Sequence, residues 1–593
     1  MMRSTLIILA LFSLNTSAQP IVRLHEGLIE GKTVLFNERN ISQLVDVFLG
    51  VPFAEPPIRF GAPVPKTPWS GVLDTTSFKP ACMQTRKKAL PNVDEDCLYL
   101  NVYSPNPKPS QAAVLVYIHG GTFRAGTAMR PHSYGVPLVA VGNVILVTIN
   151  YRLGIFSRFS TGTYEARGNY GMLDQVEALR WIQRNIGAFG GDGDQVTLMG
   201  FSAGAGSVNF HLLSRLSRGL FSQAIMQSGN VFSPWAFKNV TPEEDRKKAE
   251  QLGLSMGCPT TSIPDMIECL RTTKATILTT TANTIYNSEY PIHVDGLFLE
   301  DTPSNLYRLG EFKVCPLLAG YSRDEGTTTL RSFYREHLHQ RYRPQTNLKT
   351  AQDHVISMMA LIGYNGTILR DAALELYTDW SKAADGDFTR TYIDVYTDVF
   401  YACTTDRVIR AHSSERSKIF KYIFTHEPTV SKPILHHGIA DVSMTLPTPW
   451  LNATHGADTM YVFGRHFMKE FQNPLFNYTE ENKALSVQIM KYWTNFAKSS
   501  DPNKSSRDDL IDDEIEPWFP FTTDGLIHKE LSPTLRNGRA ARAKECHFLN
   551  VYMPQLKSAT KSITEDEQQW KQDYKSWQEY FISWRDRFEH LNE

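Results

Sequence analysis

Apolar runs of strand length alternate with helix-length stretches through most of this chain. Residues 113–118 and 144–150 are short apolar runs bounded by turn residues, the pattern of strands covered on both faces. Residues 97–103 and 195–199 add β-favouring runs, and residues 170–186 supply a helix-length segment before the second of them. Residues 314–320 and 419–424 read as two further buried strands, and residues 21–36 alternate like a β-hairpin. Strands separated by helices predict an α/β fold: a mostly parallel twisted central sheet with helices on both faces. The end of the chain has a different period. Trp570, Trp577 and Trp584 recur every seven residues, and Tyr574, Phe581 and Phe588 each follow a tryptophan by four. That is a heptad seam with polar residues between its positions, so an amphipathic C-terminal helix is expected to assemble copies of the chain.

Composition narrows the class. With 593 residues, 42% hydrophobic, 21% charged and a formal net charge of −1, the chain can bury a large core and has no electrostatic bias toward nucleic acid. Residues 1–18 carry Arg3, the apolar run Leu6 to Phe12 and a small-residue end at Thr16-Ser17-Ala18, which predicts a secretory signal peptide. No later stretch is long and apolar enough to insert into a membrane, so the expected location is extracellular. Seven cysteines without CxxC spacing fit disulfides in that compartment better than a metal. Asn40, Asn239, Asn365, Asn452, Asn477 and Asn503 head glycosylation sequons, of which only some are expected to be occupied.

The candidate chemistry centres on Gly200-Phe201-Ser202-Ala203-Gly204. This G-x-S-x-G run joins a predicted strand to a predicted helix over residues 203–213, the setting that holds a serine hydroxyl proud of a sheet edge. The strand at 113–118 ends in His119-Gly120-Gly121-Thr122, and the amides of Gly121, Thr122 and Ala203 are candidate donors to an oxyanion. A serine nucleophile needs a base and an orienting acid. Residues 314–320 lead into Asp324-Glu325, so Glu325 is the expected acid with Asp324 as alternative. His455 is a candidate base, and periodicity equally allows His436 or His437.

A resemblance decides among these. Residues 189–204, the box Glu95 to Val102, Phe53-Ala54-Glu55-Pro56-Pro57, and His455-Gly456 followed by Val462-Phe463-Gly464 are similar to type-B carboxylesterases and cholinesterases, over about residues 21–555. The resemblance implies an α/β-hydrolase domain over 19–555 and an oligomerisation tail over 556–593. It implies Ser202 as nucleophile, Glu325 as acid, His455 as base, and no metal or organic cofactor. It also implies disulfides Cys82 to Cys97, Cys258 to Cys269 and Cys403 to Cys546, a free Cys315, and structural ion pairs Arg59 with Glu95 and Arg152 with Asp174. The tail resembles the tryptophan-rich tails of cholinesterases that assemble around a proline-rich anchoring partner, which implies a dimer or tetramer.

The pocket departs from the cholinesterase pattern. Cholinesterases resemble one another in a tryptophan within the first disulfide loop, an acid before the serine, and aromatics after the Glu-Gly of the acid. Here residues 83–96 hold no aromatic and include Arg86, Lys87 and Lys88; Phe201 precedes the serine; and Thr327, Thr328 and Thr329 follow Gly326. Trp235 matches an acyl-pocket position, Ser288 lies where a narrowing aromatic is expected, and Thr122 stands where the family usually has glycine. General carboxylic esters are therefore expected to be favoured over choline esters.

Overall fold

The computed structural model describes residues 19–85, 92–333, 345–413, 417–427, 452–468, 478–505 and 516–590. The signal segment 1–18, Arg86, Lys87, Lys88, His436, His437 and Asn477 lie outside the described residues, as does the side chain of Trp584.

Eleven strands form the main sheet: β1 (Lys32–Glu38), β2 (Ile41–Pro52), β3 (Tyr99–Asn106), β4 (Ala112–Ile118), β5 (Ile145–Ile149), β6 (Gly191–Phe201), β7 (Gln223–Gln227), β8 (Leu317–Ser322), β9 (Ile419–Phe424), β10 (Ile527–Leu531) and β11 (Asn537–Arg539). Their spatial order is β11-β10-β9-β8-β7-β6-β4-β5-β3-β2-β1. Pairing is parallel from β5 across to β10 and antiparallel at both margins. The α/β expectation holds.

The period of two along the buried strands sorts their side chains onto two cores. From β4, Val114, Val116 and Ile118 enter one hydrophobic layer, while Ala113, Leu115 and Tyr117 enter the other. Helices α1 (Tyr170–Asn185) and α2 (Ala203–Leu213) cover the first layer through residues such as Val176, Leu179, Val208 and Phe210. Helices α3 (Ala457–Val462) and α4 (Glu480–Ser499) cover the second through Tyr461, Ile489, Trp493 and Phe496. A strand buried on both sides has no room for polar alternation, which is why these runs are mostly apolar, with single buried polar residues such as Thr148 and Lys421.

Two expected elements change. Residues 21–36 do not make one hairpin: Ile21–Arg23 pairs with Leu28–Glu30 in a separate three-stranded sheet, and the chain crosses at Gly31 into β1, which pairs with β2. The strand expected at 314–320 begins at Leu317, because Pro316 has no N–H for the ladder and contributes only its carbonyl, accepting from Ala224 N–H at 3.1 Å. Cys315 therefore lies before the strand, buried and free, with burial pushing its thiol up to about 12.

The three disulfides join Cys82 to Cys97, Cys258 to Cys269 and Cys403 to Cys546. The chain ends in α5 (Lys561–His590), on which Trp570 and Trp577 are 62% and 57% exposed and Tyr574 and Phe581 are also exposed. Trp570 stacks on Tyr574 and Trp577 packs on Phe581 along one stripe of this helix. No helix among the described residues is long and apolar enough to cross a membrane.

Candidate active site

Strand order sets the site. β4 lies between β5 and β6, so the sheet reverses its winding direction there, and the crevice beyond the C-terminal ends of such strands is where ligands bind. Gly200 of β6 is in register with Ile118 of β4, so the segments after each strand, 119–122 and 201–203, leave the sheet side by side. β8 delivers Glu325 two strands from β6, roughly 10 Å at the usual strand spacing. An imidazole hydrogen-bonded at both nitrogens can bridge that gap.

Ser202 occupies a strained turn. Its φ is 56° and ψ −121°, a region sparsely used by side-chain-bearing residues, and it is buried. The turn is held because Ser202 N–H donates to Gln227 O at 2.8 Å and Gly206 N–H donates to Ser202 O at 2.9 Å. Two glycines make the close packing possible. A Cβ at Gly204 would lie 1.9 Å from Ile118 O, and one at Gly120 would lie 2.9 Å from the Ser202 Cβ. The 119–122 segment is therefore pressed directly against the serine.

Among the described residues, the N–H groups of Gly121, Thr122 and Ala203 donate no hydrogen bond to the protein. Unpaired amides beside a serine are what an oxyanion requires. Thr122 has φ 53°, an uncommon conformation for a β-branched residue, and its hydroxyl turns back to donate to Gly121 O at 2.8 Å. The side chain is exposed, and its amide is unobstructed by that bond.

His455 Nδ1 lies 2.5 Å from Glu325 Oε2. Glu325 is fully buried, and its other oxygen accepts from Ser322 N–H at 2.7 Å. Asp324 faces elsewhere: its carboxylate pairs with Arg323 and Arg390. Of the two acids left open by the sequence, Glu325 alone touches the imidazole. With the Nδ1 proton given to Glu325, Nε2 is left as an acceptor. The Phe201 ring, one residue before Ser202, is 4.7 Å from the imidazole, so the serine turn runs beside the Glu325–His455 pair.

The expected pocket residues are spread around this centre. Trp235 packs over the first turn of α2, 3.4 Å from where a Gly206 Cβ would stand, and near Phe123. Thr328 is half-buried on the turn after the acid, with its N–H donating to Glu325 O at 3.2 Å. Phe201 is buried beneath the imidazole rather than presented to an open space. Ser288 follows the helix Ala275–Ile285, its N–H bonding Asn283 O at 2.8 Å, and no described contact joins it to Ser202, Glu325 or His455. Arg59 with Glu95 and Arg152 with Asp174 form two-pronged ion pairs away from these groups.

Sequence reasoning missed a buried connection behind the site. Asp458, on α3, accepts from Gln227 Nε2 at 3.0 Å and Tyr422 Oη at 2.7 Å, and burial pushes its carboxyl above the usual range. Gln227 also holds the Ser202 amide, so the helix after the histidine and the serine turn are linked through one glutamine. The His-x-x-Asp spacing could have flagged Asp458; nothing local marks Gln227. Tyr401, whose ring lies 4.9 Å from the imidazole, was likewise invisible in the sequence. Among the described residues, no group of three or more His, Cys, Asp or Glu is placed to hold a metal.

Asn40, Asn239 and Asn365 are exposed, and Asn452 is half-buried. The Asn503 amide donates to Asp501 Oδ1 at 2.8 Å and Trp518 O at 2.9 Å, so a glycan there would break one of these bonds.

Residues 18–549 match the carboxylesterase family. The chain is 35% identical over 573 residues to an acetylcholinesterase of Bungarus fasciatus, covering 93% of this chain and 89% of that protein. It is 32% identical over 558 residues to a cholinesterase of Mus musculus, covering 89% and 86%.

Proposed function

The chain belongs to the carboxylesterase family and is a carboxylic ester hydrolase, and from that premise we propose that it is a secreted serine esterase working through Ser202, Glu325 and His455. The observation that carries the reading is the Glu325–His455 contact of 2.5 Å beside the strained Ser202 turn and its unpaired amides. His455 takes the Ser202 proton as the hydroxyl attacks the ester carbonyl. The amides of Gly121, Thr122 and Ala203 receive the oxyanion, and His455 returns the proton to the departing alcohol. Water, activated by the same imidazole, then clears the acyl-enzyme.

Uncharged carboxylic esters fit this site best. A quaternary ammonium is held by aromatic faces and nearby negative charge, whereas here Phe201 replaces the acid before the serine and Thr327 to Thr329 replace the aromatics after the acid. The names of the two relatives favour a second reading, hydrolysis of choline esters. Comparing kcat/KM for acetylthiocholine with that for a naphthyl ester separates them; strong preference for the charged substrate overturns the pocket argument. A third possibility, a catalytically silent binding module, is tested by organophosphate labelling. Absence of a Ser202 adduct in folded protein would favour it.

The leader at 1–18, the disulfides and the exposed sequons support secretion. The exposed aromatic stripe of α5 supports a dimer or tetramer formed through the tail, around a proline-rich anchor.

A further inference from the structure

We propose that Phe201 and Tyr401 are positioning residues that hold the His455 imidazole between two aromatic rings, an inference that rests on His455 being the base. The Phe201 ring centroid is 4.7 Å from the imidazole at an interplanar angle of 38°, and that of Tyr401 is 4.9 Å away at 31°. The two rings come from separate parts of the chain, Phe201 from the end of β6 and Tyr401 from the segment Asp398–Ala402. Gly456, next to the histidine, packs so tightly on the Phe201 ring that a Cβ there would lie 2.7 Å from it. Two rings against the imidazole and the Glu325 contact at its Nδ1 together restrict its rotation.

The Tyr401 ring reaches the site because the helix carrying it is locally widened. Residues Asp398–Ala402 form a π-turn between the α-helical segments Thr389–Thr397 and Cys403–His412. An inserted residue of this kind rotates the following side chains and is frequent at functional sites. Three ties fix the turn. Arg542 pairs with Asp398, Ser233 Oγ donates to Phe400 O at 2.8 Å, and the Cys403–Cys546 bond closes its C-terminal end. Tyr396 stacks on Phe400 with centroids 4.2 Å apart, leaving Tyr401 aimed at the histidine.

Two rings flanking an imidazole do two things at once. They restrict its rotation, and their negative faces favour the cationic form that appears as the serine proton is taken. Among the described residues, the ionisable groups near His455 include Glu325 on the acid turn, Asp458 on α3 and the phenol of Tyr401, with Tyr396 beside Glu325. All four remain in Phe201→Leu, so a shift in that variant reports the lost ring.

The test is the pH profile of kcat/KM for a naphthyl ester, with organophosphate titration of active sites, in wild type, Phe201→Leu, Tyr401→Leu and Tyr401→Phe. The acid limb is expected to move to lower pH by roughly half a unit to one unit in each Leu variant. kcat per titrated site should fall roughly two- to tenfold. Tyr401→Phe keeps the ring and retains the wild-type limb. The position of the limb does not depend on how much protein has folded, so a poorly folding variant still reports the loss of its ring. An unmoved limb with the whole loss in KM makes the two rings pocket walls and overturns the proposal. Wild-type protein that takes no label at Ser202 overturns the hydrolase reading, and the clamp with it.

Discussion

Replacing Glu325 by Gln tests the central geometry most directly. The change is nearly isosteric, and Oε1 can still accept from Ser322 N–H, which lies 2.7 Å away in the wild type, so the local turn should persist. What disappears is the negative charge 2.5 Å from His455 Nδ1. In the transition state the imidazole carries a positive charge, with charge centres about 4 Å apart; at an effective dielectric constant near 20 the lost attraction is about 4 kcal/mol. That converts to about 10³ in rate. A second effect acts in the same direction. An amide nitrogen facing Nδ1 donates to it, which moves the ring proton to Nε2 and leaves no acceptor for the serine proton. The same acid-to-amide change in a well-studied serine protease triad costs about 10⁴ in kcat. The expected loss here is therefore about 10³ to 10⁴ in kcat, with KM little changed, measured on a neutral naphthyl ester. Asp324→Asn is the control: Asp324 pairs with Arg323 and Arg390 and does not touch His455, so it should cost stability and leave kcat near wild type. An activity of Glu325→Gln within tenfold of wild type, or an equal loss in Asp324→Asn, refutes the assignment.

Three other outcomes follow from the fold. The Cys403–Cys546 bond closes 143 residues and the Cys258–Cys269 bond closes 11; loop entropy makes them worth about 5 and about 3 kcal/mol, so the paired Cys→Ser variants should differ by about 2 kcal/mol in urea unfolding. Burial lowers His119 and His412 to about 4 and His211 and His466 to about 3, so the unfolded chain takes up protons first as pH falls. Stability is then complete above about pH 6.5 and is lost toward pH 4, at about 1.4 kcal/mol per pH unit for each histidine, and a flat urea midpoint across this window contradicts the assignment. Deleting residues 561–593 should preserve kcat and abolish oligomers in analytical ultracentrifugation, since the exposed aromatic stripe of α5 leaves with the deleted segment; unchanged oligomers refute the role given to the tail.

The sequence by itself determined the buried central strands around 113–118, 144–150, 195–199 and 419–424, the serine turn and the order of the candidate groups, because these are local matters. A strand buried on both faces is mostly apolar, and a sharp strand-to-helix turn around a serine needs small residues beside it. Residues 203–213 and 419–424 were legible to the residue for that reason. Only the tertiary structure decided what depends on which chain segments lie side by side. Asp324 and Glu325 are adjacent in sequence and equally charged, but one turns to Arg390 and the other to His455, a choice set by the packing of β8 and the segment that follows it against elements more than 60 residues away. The reach of Tyr401 depends on one extra residue in a helical turn, and Asp458 meets the serine turn through Gln227, on a strand over 200 residues earlier. Neither contact leaves a periodic trace in the chain, because hydrophobic pattern reports which face is buried and not which neighbour it is buried against.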